Sequence, residues 1–257
     1  VSGVGRRIAE PVTEILVSIA EHVPRGLGAG HRRIGDRTRQ AADAFDDAER
    51  RIEDSVPIYM VDNEGNVQRL TPEGDFVPVG GDDRSGVRGL LGADGRATPK
   101  RSGHHNLATG VPSRERPRVD SRPVVAGTTE LARATQRARL AANDRGGNYA
   151  AFRYQDGDSH FILVGRSGPQ QSLHSEQNAG VPFIGAMERL AGAPQEIYTE
   201  RAPCTTRRCD AWLAQYFEGA DVTHTFEYGE TKESRRKGND AHAEYMARLF
   251  RDDPEDP

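Results

Sequence analysis

Apolar and polar positions recur with two different periods in the second half of the chain. Leu131, Ala134, Ala138 and Leu140 follow Thr128-Thr129 at helical spacing, so a capped helix is predicted to about Asn143. Asn148–Tyr154 and His160–Val164 are strand-like, and Gln155-Asp156-Gly157-Asp158 between them predicts a hairpin. A Gly/Ser/Gln loop, 165–173, opens on His174. A helix is then expected to about Leu190, where Ala191-Gly192-Ala193-Pro194 stops it. Glu196–Arg201 reads as a strand, Thr205–Phe217 as a helix, Val222–Tyr228 as a strand and Glu233–Phe250 as a closing helix before an acidic tail. This order predicts an α/β fold, a sheet with helices packed on its faces.

The first half is thinner. Residues 6–22 and 36–54 carry narrow helical stripes, too narrow to fold alone, and read as a helical upstream segment over 1–54. Ile58–Val61 and Val67–Leu70 flank Asp62-Asn63-Glu64-Gly65-Asn66, a hairpin signal within 55–79. Residues 80–127 are rich in Gly, Pro, Ser and Arg with no sustained period and read as a flexible linker. The arginines in this stretch (Arg114, Arg116, Arg118, Arg122) read as a solvated basic linker rather than a nucleic-acid contact. The folded domain is therefore expected over 128–257.

Composition agrees with that division. Only 35% of the 257 residues are hydrophobic, so much of the chain is expected outside a core. A net charge of -4 argues against coating nucleic acid by bulk electrostatics, while leaving room for a local basic groove. No apolar run approaches the ~20 residues of a membrane-spanning helix. The chain starts at Val1 without a signal-peptide layout and reads as part of something longer, with any export signal elsewhere.

Its chemistry concentrates at His174-Ser175-Glu176 and, thirty residues on, Pro203-Cys204-Thr205-Thr206-Arg207-Arg208-Cys209, which holds both cysteines of the chain. One imidazole and two thiolates can hold Zn²⁺ with a fourth position left for water, whose pKa falls to about 7. Water so activated can attack an amidine-type ring carbon, C4 of cytosine or C6 of adenine. Ammonia leaves poorly unless protonated, so a carboxylate must move the proton, and Glu176 is placed for that. Residues two apart on a helix point about 200° away from one another. His174 and Glu176 can therefore share a site only if His174 stands at the helix entrance. Cys204 is expected to open the following helix, whose N-terminal dipole favours thiolate.

These words resemble the H-x-E…P-C-x-x-C signature of the zinc deaminases. With Tyr198-Thr199-Glu200-Arg201-Ala202 before Pro203, they resemble in particular the C-terminal deaminase domains of polymorphic bacterial toxins, including secreted DNA cytosine deaminase toxins. The resemblance covers about residues 128–250. It implies a cytidine-deaminase-like three-layer fold, a mixed sheet with helices on both faces. It also implies Zn²⁺ held by His174, Cys204 and Cys209, Glu176 as the catalytic acid/base, and nucleic acid as substrate, DNA before RNA. A secreted effector acting in a target cell's cytoplasm, and a cognate immunity protein in the producer, follow from the same resemblance. Adenine and free nucleotides stay open as substrates.

Two features depart from the pattern. The spacing is C-x4-C, which predicts Cys209 one turn deeper in its helix, and Gly180-Val181-Pro182 should break or kink the helix after His174. Arg207 and Arg208, between the cysteines, are candidates for phosphate contact, and Ser175 and His224 for substrate contact. Trp212 and Tyr216 read as core. The competing readings are a short-loop disulfide between the cysteines and a structural zinc module, for which His224 or His160 would supply the fourth ligand.

Overall fold

The computed structural model describes residues 56–109, 115–168 and 174–251. The helices expected at 6–22 and 36–54 lie outside these residues. The described chain is built on one eight-stranded mixed sheet in the order β3-β2-β1-β6-β5-β7-β8-β4. The strands are β1 (Ile58–Val61), β2 (Val67–Leu70), β3 (Phe76–Pro78), β4 (Arg122–Pro123), β5 (Tyr149–Asp156), β6 (Ser159–Arg166), β7 (Glu196–Arg201) and β8 (Asp221–Phe226). Four helices accompany them: α1 (Glu130–Ala141), α2 (Ser175–Gly185), α3 (Cys209–Tyr216) and α4 (Lys232–Leu249). None is long and apolar enough to cross a membrane among the described residues.

Period-two alternation divides the core. Tyr59, Val61, Phe152, Phe161, Leu163 and Ile197 face α2 and α3, joined by Trp212 and Phe183. Ile58, Tyr149, Ala151, Ile162, Val164 and Tyr198 face the other way, onto Leu131, Ala134 and Ala138 of α1. The three-layer α/β arrangement is thus written into alternate positions of the same strands. On the α1 face the fully buried Arg139 and Glu200 form an ion pair, with Arg139 Nε 2.9 Å from Glu200 Oε1. Tyr149 N and His242 Nε2 of α4 bind the Oε2 atom at 2.8 and 3.2 Å. Glu200 thereby joins β5, β7, α1 and α4.

Both predicted hairpins form, β1 with β2 and β5 with β6, each antiparallel. The first is part of the main sheet, because β1 also pairs in parallel with β6, Tyr59 opposite Leu163. Thr129 caps α1 by accepting from Ala132 N. The described residues of the stretch 80–127 (80–109 and 115–127) are mostly irregular, as the composition predicts, but they pack on the sheet and helices rather than standing loose. Val87 and Leu90 of a short 3₁₀ helix are fully buried, Ala97 and Lys100 are nearly so, and Tyr59 donates to Asp83 and Ser85. Arg122 pairs with Asp221 as β4 lies along β8. The physical reason is that side chains of the regular elements satisfy this segment's backbone, a source of order that apolar periodicity does not record.

Helix α2 runs through Pro182 to Gly185 instead of breaking there. Residues 175–184 are all buried, and packing on every side outweighs the one amide hydrogen bond that Pro182 cannot make. Its close seat on β6 depends on Gly165, where a Cβ would fall 2.5 Å from Ala179 N.

Candidate metal centre

The site lies at the N-terminal ends of α2 and α3. His174 caps α2 with an extended backbone (φ -74°, ψ 167°), the entrance position that the His-Ser-Glu spacing requires. Gln177 Oε1 accepts from His174 N at 3.3 Å and fixes that turn. His174 Nδ1 lies 3.2 Å from both Cys204 Sγ and Cys209 Sγ, and the two sulfurs, both free thiols, are 3.7 Å apart. All three donor atoms fall within 4.8 Å of one another.

This donor set fits zinc. Thiolates at 2.3 Å from a tetrahedral ion stand about 3.8 Å apart and a nitrogen about 3.6 Å from each sulfur, so the sulfur pair matches and the imidazole must retreat by only tenths of an ångström. The thiol pair is also prepared electrostatically. A hydrogen bond from Cys209 brings Cys204 down to about 4 against the opposing effect of burial, with His174 assisting. The same bond, with burial, pushes Cys209 well above its ordinary value. The two sulfurs are thus strongly coupled, and a dication held by them would take the place of their protons.

The C-x4-C spacing is accommodated differently from the sequence expectation. Cys204 does not open the helix; α3 begins at Cys209 itself. Residues 204–208 form a closed turn in which Cys209 N donates to Cys204 O at 2.9 Å and Arg208 N to Thr205 O at 3.1 Å. Arg208 closes it in the left-handed region (φ 59°, ψ 33°), a conformation disfavoured for a side chain of this kind. That turn returns the chain on itself and brings both sulfurs to His174.

Glu176 is 2% exposed in the first turn of α2, and burial raises its carboxyl above the usual range. Ser175 Oγ donates to its Oε2 at 3.2 Å and Thr199 Oγ1 to its Oε1 at 3.4 Å. Asn148 Nδ2 donates to both of those hydroxyls at 2.8 Å, while its Oδ1 accepts from Arg201 N at 3.0 Å. Asn148, Ser175 and Thr199 therefore orient the carboxylate from the residue before β5, from α2 and from β7. Asn148 and Thr199 carry no sequence signal that separates them from other strand polar residues. Ser175, a candidate for substrate contact, is fully buried in this network.

A cleft of about 610 Å³ opens on His174 between Arg116, Arg207, Arg208 and the segment His105–Thr109. Arg207 and Arg208 thus stand at the mouth, together with Arg116, which the sequence placed in a solvated linker. Gln177 Nε2 donates to His105 O, Trp212 Nε1 to His104 O and Tyr216 Oη to Asn106 O, so α2 and α3 hold this wall by its backbone. His224 lies elsewhere, buried on β8 with Nδ1 2.9 Å from Ser121 Oγ and Nε2 3.2 Å from Glu227. His160 Nε2 accepts from Arg153. Neither belongs to the His174 cluster, which among the described residues has three donors.

Residues 145–244 match the family model of a Xanthomonas-like deaminase. The match spans β5 to α4 and includes His174, Glu176, Cys204 and Cys209, which indicates a deaminase domain, a hydrolase of a carbon–nitrogen bond. Neither curated proteins nor solved structures yield a match.

Proposed function

We propose that this domain catalyses zinc-dependent hydrolytic deamination of a nucleobase, cytosine to uracil in DNA, as the toxic effector part of a secreted bacterial toxin. The observation that carries the chemistry is the convergence of His174, Cys204 and Cys209 beside a buried, doubly hydrogen-bonded Glu176. Zinc, when bound by these three residues, supplies a Lewis acid that lowers the pKa of a water. Glu176 carries the two protons of the attacking water in turn, the first to the ring nitrogen and the second to the departing amine, a role suited by its raised pKa. Asn148, Ser175 and Thr199 hold that carboxylate in place, and the Gln177–His105 contact keeps the wall of the cleft closed beside it.

Three arginines at the mouth support a phosphate-bearing substrate, and a base in a strand must be unstacked to reach His174. The choice of cytosine and DNA, delivery into a target-cell cytoplasm and a cognate immunity protein rest on the sequence resemblance to the toxin deaminases. The test is incubation of the zinc-loaded protein with single-stranded DNA, duplex DNA, RNA and free nucleotides, reading uracil and hypoxanthine by mass. Glu176→Ala is expected to keep zinc and give no product, whereas Cys204→Ala loses both. Product formation by Glu176→Ala at the parent rate would refute the mechanism.

A further inference from the structure

Several basic residues that could face a polyanion are already neutralised within the chain. Arg118 pairs with Glu230 at 2.7 Å and Asp210 at 3.5 Å, and Arg122 pairs with Asp221. On α4, Arg236 pairs with Asp240 and Lys237 with Glu233, so the basic run that opens this helix is matched by its own neighbours. Arg116, Arg207 and Arg208 differ. They have no carboxylate partner among the described residues, and all three line the cleft that opens on His174. None of the residues described as lining that cleft is acidic, although the whole chain carries a net charge of -4. An unbalanced positive cleft on an acidic chain draws anions to one place. Arg116 is also held ready. Its Nη2 donates to Ala108 O at 2.5 Å, and Ala108 N donates to Gln215 Oε1 at 2.9 Å, which ties the guanidinium to the helix that begins at Cys209. Its Nε has no partner, so hydrogen-bonding capacity remains unmet.

We propose that Arg116 is a substrate-binding residue that takes a phosphodiester flanking the target nucleotide, while Arg207 and Arg208 receive the strand from the turn between the cysteines. The substrate is then a polynucleotide strand, not a free nucleoside or nucleotide. The inference rests on the deaminase reading of the metal centre. A lone phosphate is satisfied by one forked donor; arginines on two separate segments offer more than one, as successive phosphates of a strand require. Arg116 lies outside residues 145–244, so this contact comes from the chain's own preceding stretch rather than from the matched deaminase residues. It positions the strand and leaves the choice of base to the interior of the cleft.

The test is the binding of a fluorescein-labelled single-stranded oligodeoxynucleotide, followed by anisotropy across salt concentrations. The zinc-loaded full chain carries Glu176→Ala to prevent turnover. Arg116→Gln is expected to weaken binding about tenfold and to reduce the slope of log affinity against log salt by about 0.7, the share of one phosphate contact on a single strand. Arg116→Lys keeps the charge and with it most of the slope. An arginine that only holds Ala108 O leaves the slope unchanged in Arg116→Gln, whatever the affinity, and that result overturns the assignment. Competition by deoxycytidine monophosphate as strong as that by unlabelled oligonucleotide also overturns it, by identifying a site for a lone phosphate, and so does absence of oligonucleotide binding. Should Arg116→Gln not fold, phenylglyoxal modification of Arg116 in the parent protein, located by peptide mass, is expected to slow when oligonucleotide is bound; an unchanged rate overturns the proposal. Lack of uracil and hypoxanthine from every substrate sinks the deaminase reading instead, and is read separately by mass.

Discussion

Gly180 lies on α2 where that helix meets α3, and replacing it with alanine sets two effects of known size against each other. Alanine is favoured over glycine in a helix by about 0.8–1.0 kcal/mol. The new Cβ would stand 2.6 Å from Trp212 Cη2 and 3.0 Å from both Trp212 Cζ3 and Phe217 Cε2. Trp212 is fully buried and tied to His104 O, so it has nowhere to turn, and overpacking of this kind costs about 1–3 kcal/mol. The clash wins: Gly180→Ala is expected to lose about 1 kcal/mol, or about 2–4 °C in thermal midpoint for a domain of this size. Relief must come from α3 moving away from α2. Because α3 begins at Cys209, three residues before Trp212, that movement shifts a donor sulfur relative to His174. Zinc sites tolerate about 0.2 Å, so competition with a chromophoric chelator should show about tenfold weaker zinc binding. Trp212→Phe removes the colliding indole atoms and leaves only the approach to Phe217, so the double variant should be more stable than the sum of its singles. A Gly180→Ala protein that is more stable by the full helix-propensity gain, with unchanged zinc affinity, would refute the claim that this interface fixes the metal geometry.

Other perturbations test the remaining links. A chain beginning at Val56 is expected to fold and bind zinc, whereas one beginning at Thr128 removes β1 from β6 together with Leu90 and Lys100; circular dichroism and metal content distinguish them, and a folded, zinc-loaded 128–257 would disprove the packed role of 80–127. Glu200→Gln leaves the buried Arg139 without its anion and should cost about 3–5 kcal/mol in denaturant unfolding. Burial alone would raise the Glu200 carboxyl, but the His242 hydrogen bond and the Arg139 charge hold it below its usual range. Its stabilising contribution is therefore present above the unfolded carboxyl pKa and lost as pH falls through the lower folded value, so the variant's deficit should shrink in acid. Arg208→Gly relieves the left-handed strain of about 1 kcal/mol and gives back a similar amount in unfolded-chain entropy. Stability and zinc content should stay near the parent's, while Arg208→Val lowers both. Equal behaviour of the two would show that the turn conformation does not matter.

The chain made the locally determined parts of this structure legible. The hairpins at Asp62–Asn66 and Gln155–Asp158 carry turn residues between alternating strands, and β7 at Glu196–Arg201 is bounded as expected. The place of His174 at the entrance of α2 followed from helix geometry, because no other arrangement lets it share a site with Glu176. The parallel pairing of β1 with β6 joins residues about a hundred positions apart, and neither strand's own pattern names its partner. The closed turn at 204–208 was hidden for a related reason. Its left-handed position is occupied by Arg208, not by the glycine or asparagine that announces such a turn.

The segment 80–127 shows where composition loses its force. A linker reading assumes that backbone groups without a ladder are satisfied by water. Here the carbonyls of His104, His105 and Asn106 accept from Trp212, Gln177 and Tyr216, and these donors lie on helices far along the chain. Any residue can present a carbonyl, so the identity of the receiving residues carries no trace of the contact. The signal lies with the donors: a buried Trp, a buried Gln and a Tyr around the cysteine and histidine motifs need polar partners. Asking what those three side chains bind, rather than what residues 80–127 prefer, points to a packed wall over the metal centre.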